Sequence, residues 1–163
     1  MNEAELKAAL SQIEFLSGLP DEQVSRLAAI ARKQELPAQT TIFEEFDEAK
    51  QVYLILSGKV GLANCTPHLG CRMMMTVEDG ELMGWSPLVH NDRFSAKAHT
   101  LRATTLLAFD GEKLLKLCEE DAAFGFEFMR RTAKVLEERL MATRLQMLEL
   151  CGTQLPDLAL ESD

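Results

Sequence analysis

The sequence predicts a mainly β domain of the sandwich, barrel or jelly-roll kind, framed by helices on both sides. Three observations carry this. Between residues 33 and 110, short apolar runs rich in β-branched residues alternate with turn residues at close, even intervals. Before and after that stretch, apolar residues recur at helical spacing instead. The 163 residues are 47% apolar, which suits one domain with a real core.

Residues 1–31 read as two helices. Leu6, Ala9, Leu10, Ile13 and Phe15-Leu16 fall near helical period, then Gly18-Leu19-Pro20 interrupts. Asp21 is placed to cap the second helix, because its carboxylate can accept from first-turn amides. Val24, Leu27, Ala28 and Ile30-Ala31 give that helix its apolar stripe. The β region then runs through Thr40-Thr41-Ile42-Phe43, Val52 to Leu56, Lys59 to Leu62, Met73 to Val77, Leu82-Met83, Ser95 to Thr100 and Thr104 to Phe109. Thr66-Pro67-His68-Leu69-Gly70 reads as a hairpin tip, and the Met73-Met74-Met75 triplet as part of a core strand. After Asp110-Gly111 a short helix covers Glu112 to Glu120, and a long one runs from about Ala122 to Leu150. Residues 1–150 are expected to form one domain: helices in 1–31, β structure in 33–110, helices in 112–150. A flexible tail is expected at 151–163.

The long helix carries a second prediction. Phe126, Met129, Ala133, Leu136, Leu140, Thr143, Met147 and Leu150 are spaced alternately three and four apart, an unbroken heptad seam. Phe128, Val135, Leu145 and Leu148 form a second apolar set beside it. A helix of this length extends about 42 Å, against a radius of gyration of about 15 Å for such a domain. The seam is therefore expected to meet a second copy of the chain, making a homodimer.

Charge and composition exclude several classes. The formal net charge is −9 and no run of Lys and Arg occurs, so direct binding to duplex DNA is not expected. The amino terminus lacks the basic and apolar regions of a signal peptide, and no stretch of 18 apolar residues could span a bilayer. With four cysteines and no such signal, the expected location is the cytoplasm.

Several strings, in this order, resemble the cyclic nucleotide-binding domain, the sensor half of the catabolite activator and fumarate–nitrate regulators. Phe15-Leu16-Ser17-Gly18-Leu19-Pro20 is similar to the family's first helix and turn. Val52 to Leu62 is similar to its strand–glycine–strand signature, with Gly58 at the reversal. Asp79-Gly80-Glu81-Leu82-Met83-Gly84 resembles the approach to its phosphate-binding cassette. The resemblance implies a β-roll (a double-stranded β-helix or jelly roll) with N-terminal helices and a long C-terminal dimerisation helix. It also implies a regulatory, non-catalytic role. The related regulators continue into a helix-turn-helix domain. Only thirteen residues follow Leu150 here, so that domain is not expected.

In cyclic nucleotide binders of this family, the cassette begins with Gly-Glu and later presents an Arg followed by small residues. By resemblance, backbone amides and the Arg fork would hold the cyclic phosphate, and the Glu would accept from the ribose 2′-hydroxyl. The corresponding candidate pocket here is Gly84, Trp85, Ser86, Arg93, Phe94, Ser95 and Ala96. Gly84 and the small pair Ser95-Ala96 match. Trp85 stands at the Glu position, and the Arg position falls on Phe94, with Arg93 one residue early. Strand neighbours point to opposite faces, so Arg93 is expected to turn away if Phe94 faces in. Losing the charged donor costs about 1.5–3 kcal/mol, or one to two orders of magnitude in affinity. Weak or absent cyclic AMP binding is the expectation, with no cofactor.

Two alternatives stay open: a true cyclic AMP or cyclic GMP receptor working through Arg93, and a ligand-free interaction scaffold. A third feature, Trp85 and Phe94 with Tyr53, suggests a cavity for an apolar or planar small molecule.

Cys65-Thr-Pro-His68-Leu-Gly-Cys71 sets two thiols and an imidazole around the hairpin tip. Its spacing is wider than that of structural zinc sites and no fourth ligand is apparent, so no metal is expected. The other reading is a reversible Cys65–Cys71 disulfide across the hairpin. Glu44 to Glu48 reads as a solvated acidic turn. Where the family shows Glu-Gly-Asp, Glu45-Phe46-Asp47 suggests a reshaped turn. His68, His90 and His99 are scattered, and Ser86 lacks a nucleophile elbow. Nothing supports catalysis. The expected function is a dimeric regulatory sensor that signals to a protein partner.

Overall fold

A computed structural model describes residues 2–155. Helix α1 (Glu3–Ser11) starts at a capping box, in which the Asn2 side chain accepts from the Glu5 amide and the Glu5 carboxylate accepts from the Asn2 amide, both at 2.9 Å. A 3₁₀ turn (Glu14–Leu16) leads to α2 (Asp21–Ala29). Pro20, not Asp21, occupies the N-cap of α2 and caps without a side-chain bond. Asp21 is the first helical residue, and its carboxylate pairs with Lys7 instead. The second helix is also shorter than its apolar stripe suggests, since Ala31 already belongs to strand β1.

Eight strands follow: β1 (Ala31–Leu36), β2 (Thr41–Phe43), β3 (Gln51–Ser57), β4 (Lys59–Thr66), β5 (Gly70–Glu78), β6 (Leu82–Met83), β7 (Lys97–Thr100) and β8 (Thr104–Asp110). They form two antiparallel four-stranded sheets, ordered β1-β8-β3-β6 and β2-β7-β4-β5. Helix α3 (Gly111–Glu120) and the long α4 (Ala122–Cys151) close the fold, capped by the carboxylates of Asp110 and Asp121 at 3.0 Å each. The β-roll with flanking helices expected from the sequence is what the chain forms. Residues 151–154, expected to open a flexible tail, are helical: α4 includes Cys151 and a 3₁₀ turn takes Gly152–Gln154. Residues 156–163 lie outside the described residues.

The first sheet is buried on both faces, and this explains its sequence. Val52, Leu54, Leu107 and Phe109 point to the helices, joining Leu10, Leu27, Leu114, Phe124 and Phe128. Tyr53, Ile55, Leu106 and Ala108 point the other way, into the space between the sheets. Both parities being apolar, β3 and β8 read as continuous apolar runs, without alternation.

Two glycine-dependent turns position the rest. Gly58, at φ +135°, carries the chain from one sheet to the other, and a Cβ there would lie 2.4 Å from Thr104 Oγ1. Gly84, at φ +71°, ends β6, and a Cβ there would lie 2.9 Å from the Tyr53 ring.

The methionine triplet is not a core strand. β5 is the outer strand of its sheet, Met73 is 56% exposed, and only Val77 in that strand is buried.

Candidate functional site

The stretch after Gly84 turns at once into a 3₁₀ segment, Ser86–Val89, which ends on His90 in the left-handed region and is closed by the Asn91 amide donating to the Ser86 carbonyl at 2.9 Å. Residues 92–94 then pair with the turn at 46–49. Ala49 N donates to Asp92 O at 2.8 Å, Phe94 N to Asp47 O at 3.0 Å, and Phe46 N to Phe94 O at 2.9 Å. This pairing fixes which of two neighbours enters the roll.

Phe94 enters. It is 4% exposed, and its ring stacks on Phe43 at 3.8 Å between centroids, with Tyr53 at 6.5 Å. A Cβ added to Gly84 would lie 3.4 Å from the same ring, so Gly84 and Phe94 meet inside the roll. Burial also pushes the Tyr53 phenol above its ordinary pKa. Arg93 is exposed on the outer side, where its guanidinium donates to the Phe46 carbonyl at 2.8 Å. It borders an open cleft of about 750 Å³ shared with Lys50, His90 and Asp110. Ser95 is exposed and Ala96 half-buried.

Trp85 and Phe94, expected to line one cavity, lie apart. The left-handed turn at Gly84 sends the indole toward the helices, where it packs on the helix-side core. There the Arg139 guanidinium from α4 sits over it, 4.6 Å from the ring centroid. Arg139 Nη2 donates to the Leu82 carbonyl at 2.5 Å, while Nη1 is buried with no hydrogen-bond partner among the described residues. Burial lowers the pKa of this guanidinium, opposed by the carboxylates of Glu81 and Glu138. The predicted group is thus divided among three places: interior (Gly84, Phe94), helix side (Trp85), and outer surface (Arg93, Ser95).

Sequence reasoning missed Arg139, Phe43 and Glu45. Arg139 carried a signal: Gly125, Thr132, Arg139 and Gln146 recur every seventh residue, and this row meets the domain's own body. Gly125 lies against Cys118, Thr132 is buried, Arg139 reaches Leu82, and Gln146 Nε2 donates to the Met74 carbonyl at 3.3 Å. Glu45 is more than a solvated turn residue. Its carboxylate accepts from Asn64 Nδ2 at 3.0 Å and from the Cys65 amide at 2.9 Å. At that turn Phe46 takes φ +70°, in the left-handed region that favours glycine, and is 64% exposed.

The heptad seam lies beside the docked row. Phe126 is 68% exposed; Ala133, Leu140, Thr143, Met147 and Leu150 are exposed, and Met129 and Leu136 half-buried. Of the second apolar set, Phe128 is buried in the helix-side core and Val135 half-buried, whereas Leu145 and Leu148 are exposed. At the hairpin tip, Cys65 and Cys71 are joined by a disulfide between directly opposed residues of β4 and β5. No group of three or more His, Cys, Asp or Glu with metal-binding geometry occurs among the described residues, and no described helix is long and apolar enough to cross a membrane.

Comparison with known proteins extends this picture. Residues 33–121 match the family model of the cyclic nucleotide-binding domain. Among solved structures, a cyclic nucleotide-binding domain from Methylobacillus flagellatus aligns with a TM-score of 0.76 at 18% identity, covering 96% of this chain and 86% of that one. A cyclic nucleotide-binding protein from Geobacter metallireducens aligns at 0.71 and 24% identity, covering 86% of this chain and 98% of its own. The Thermus thermophilus catabolite activator protein aligns at 0.68 and 27% identity, covering 83% and 63%. Curated relatives include uncharacterised NTE family proteins of Mycobacterium bovis and Mycobacterium tuberculosis, 22% identical over 132 residues, or 81% of this chain. The chain spans 22% of the length of those relatives.

Proposed function

The chain belongs to the cyclic nucleotide-binding domain family, and from that premise we propose that it is a non-catalytic regulatory module that pairs through α4 and holds cyclic nucleotides weakly or not at all. One observation carries the second half of this reading: the buried Phe94 ring, stacked on Phe43, stands inside the roll where the resemblance calls for an arginine. A phosphodiester placed there would give up its water to aromatic carbon, and burying an unpaired anion is costly. Arg93, the nearest cation in sequence, is turned outward and engaged with the Phe46 carbonyl.

The first half is supported by the exposed seam. Six of its eight residues are exposed on a helix of 30 residues, about 45 Å long. Association with a second copy removes those apolar side chains from water. A candidate small-molecule ligand of apolar or planar character, and a protein partner that receives the output, belong to the same reading.

Calorimetry with cyclic AMP and cyclic GMP tests the pocket: little or no heat is expected, and sub-micromolar affinity for either overturns the proposal. Sedimentation tests the pairing, with a dimer expected and a monomer at tens of micromolar counting against it. The aromatic stack also favours a second reading, a ligand-free scaffold that acts only by interaction. Thermal-shift screening of planar and apolar compounds separates the two, since a filled roll gives no reproducible stabilisation.

A further inference from the structure

The β4–β5 hairpin touches three parts of the molecule at once. At its stem, Asn64 Nδ2 donates to Glu45 of the 44–47 turn and, at 2.6 Å, to the Ser95 carbonyl at the end of the cassette. Along its outer strand, the Met74 carbonyl accepts from Gln146 of α4. At its tip, Cys65 and Cys71 are covalently joined. We infer that this disulfide is a thiol–disulfide exchange site, taking a low-molecular-weight thiol or a dithiol protein as co-substrate, and that its redox state sets how firmly the hairpin ties the cassette to α4.

Three features separate it from a structural crosslink. It joins residues already opposed in an intact ladder, with Asn64↔Arg72 on one side and Thr66↔Gly70 on the other, so the fold is closed there without it. It lies at the tip of the β4–β5 hairpin, where Cys71 is exposed and an attacking thiolate can reach it from solvent. The core clusters do not include either cysteine. The free thiol in α3 is held back. The Cys118 thiol is pushed up to about 11 by burial and by the carboxylates of Glu119 and Asp121, so it stays protonated and unreactive near neutrality.

The exchange balances simply. A thiolate attacks one sulfur, forms a mixed disulfide and releases the other cysteine as thiolate. A second thiol of the co-substrate attacks the mixed disulfide and releases the first cysteine. Two electrons pass to the protein, two protons follow, and the co-substrate leaves as its own disulfide. The inference does not depend on what the roll binds or on helix pairing.

The full chain, purified without reductant and trapped with an alkylating agent, tests it by mass spectrometry. Trypsin cuts after Lys59 and Arg72, so one peptide carries both cysteines; its dithiol form carries two alkyl groups and its disulfide form none. Titration with glutathione and with dithiothreitol, without denaturant, is expected to reduce the bond fully and reversibly. Hydrogen exchange on the same samples is expected to rise about tenfold or more at residues 64–74 and measurably at 94–96 and 141–150, while β3 stays protected. The Cys65→Ser/Cys71→Ser variant should reproduce the reduced pattern. A bond that resists dithiol until denaturant is added, a peptide found only as the dithiol after mild oxidation, or unchanged exchange at both 94–96 and 141–150 each overturns the inference.

Discussion

Truncating Phe94 distinguishes a filled roll from an open one. In Phe94→Ala the ring is removed from a site where it is 4% exposed, and its stack on Phe43 at 3.8 Å is lost. A buried Phe→Ala change costs about 3–5 kcal/mol, because lost burial and an uncollapsed cavity add. At about 2–4 °C per kcal/mol for a domain of this size, the midpoint should fall by roughly 10 °C. The cavity left behind is walled by Phe43, Tyr53 and aliphatic side chains, so it should stay dry and accept a small aromatic molecule. Indole or benzene at ten times its dissociation constant should then restore about 1.4 kcal/mol to the variant. The same compound should leave the parent protein unmoved. Denaturant and thermal unfolding, each with and without the aromatic, give all four numbers. If Phe94 instead lined an open cavity, truncation would cost less than about 1 kcal/mol, and the parent would itself be stabilised by the aromatic. Either result refutes the filled-roll argument.

Other substitutions probe separate links. Leu140→Glu on the exposed seam should convert dimer to monomer in sedimentation while leaving the far-ultraviolet circular dichroism of the folded chain unchanged, because Leu140 is not part of either core. Phe46→Gly should stabilise the protein by about 1 kcal/mol in urea unfolding, since it removes a left-handed non-glycine residue whose ring is already in water. Arg139→Leu should shift the emission of Trp85, the single tryptophan, yet change stability by less than about 1 kcal/mol, because the lost bond to Leu82 is offset by removing a partly desolvated charge. Cys118, with its pKa at about 11, should be alkylated at pH 8 about a hundredfold more slowly than an ordinary thiol; the ratio should shrink as pH rises toward that value, as timed mass spectrometry can show.

Much of the fold was legible because its signals were local. Periods of two and of 3.6, glycines at reversals and the heptad seam need only neighbouring residues, and they located the roll, the hairpin tip and α4. The parity argument for Arg93 and Phe94 was equally local, and the two residues do lie on opposite sides. What sequence spacing could not supply was which strand would be outermost. Met73 to Val77 has core composition, yet β5 has a neighbour on one side only and most of it faces water. The same holds for Trp85. It is adjacent to Gly84, and one left-handed residue was enough to send it to a different core from Phe94. Phe46 shows the opposite case: the backbone kept a glycine-like turn against local preference, because the amides and carbonyls of residues 46–49 are committed to residues 92–94.

The geometry of α4 ties the segment after Gly84 to the flank that carries the exposed seam. Gly125, Thr132, Arg139 and Gln146 dock the helix, Gly125 on α3 and Arg139 and Gln146 on the roll, and the seam occupies the adjoining flank. A partner helix seated on that seam would press beside the docked row, so pairing and docking are not independent: a shift in one changes the surface offered to the other. The docked row also reaches two separate segments. Arg139 covers Trp85, the second residue of the cassette, and Gln146 holds Met74 in the disulfide-bearing hairpin. Here an indole and a guanidinium join the segment after Gly84 to α4 with protein atoms alone, so on the proposed reading this connection stands without a nucleotide.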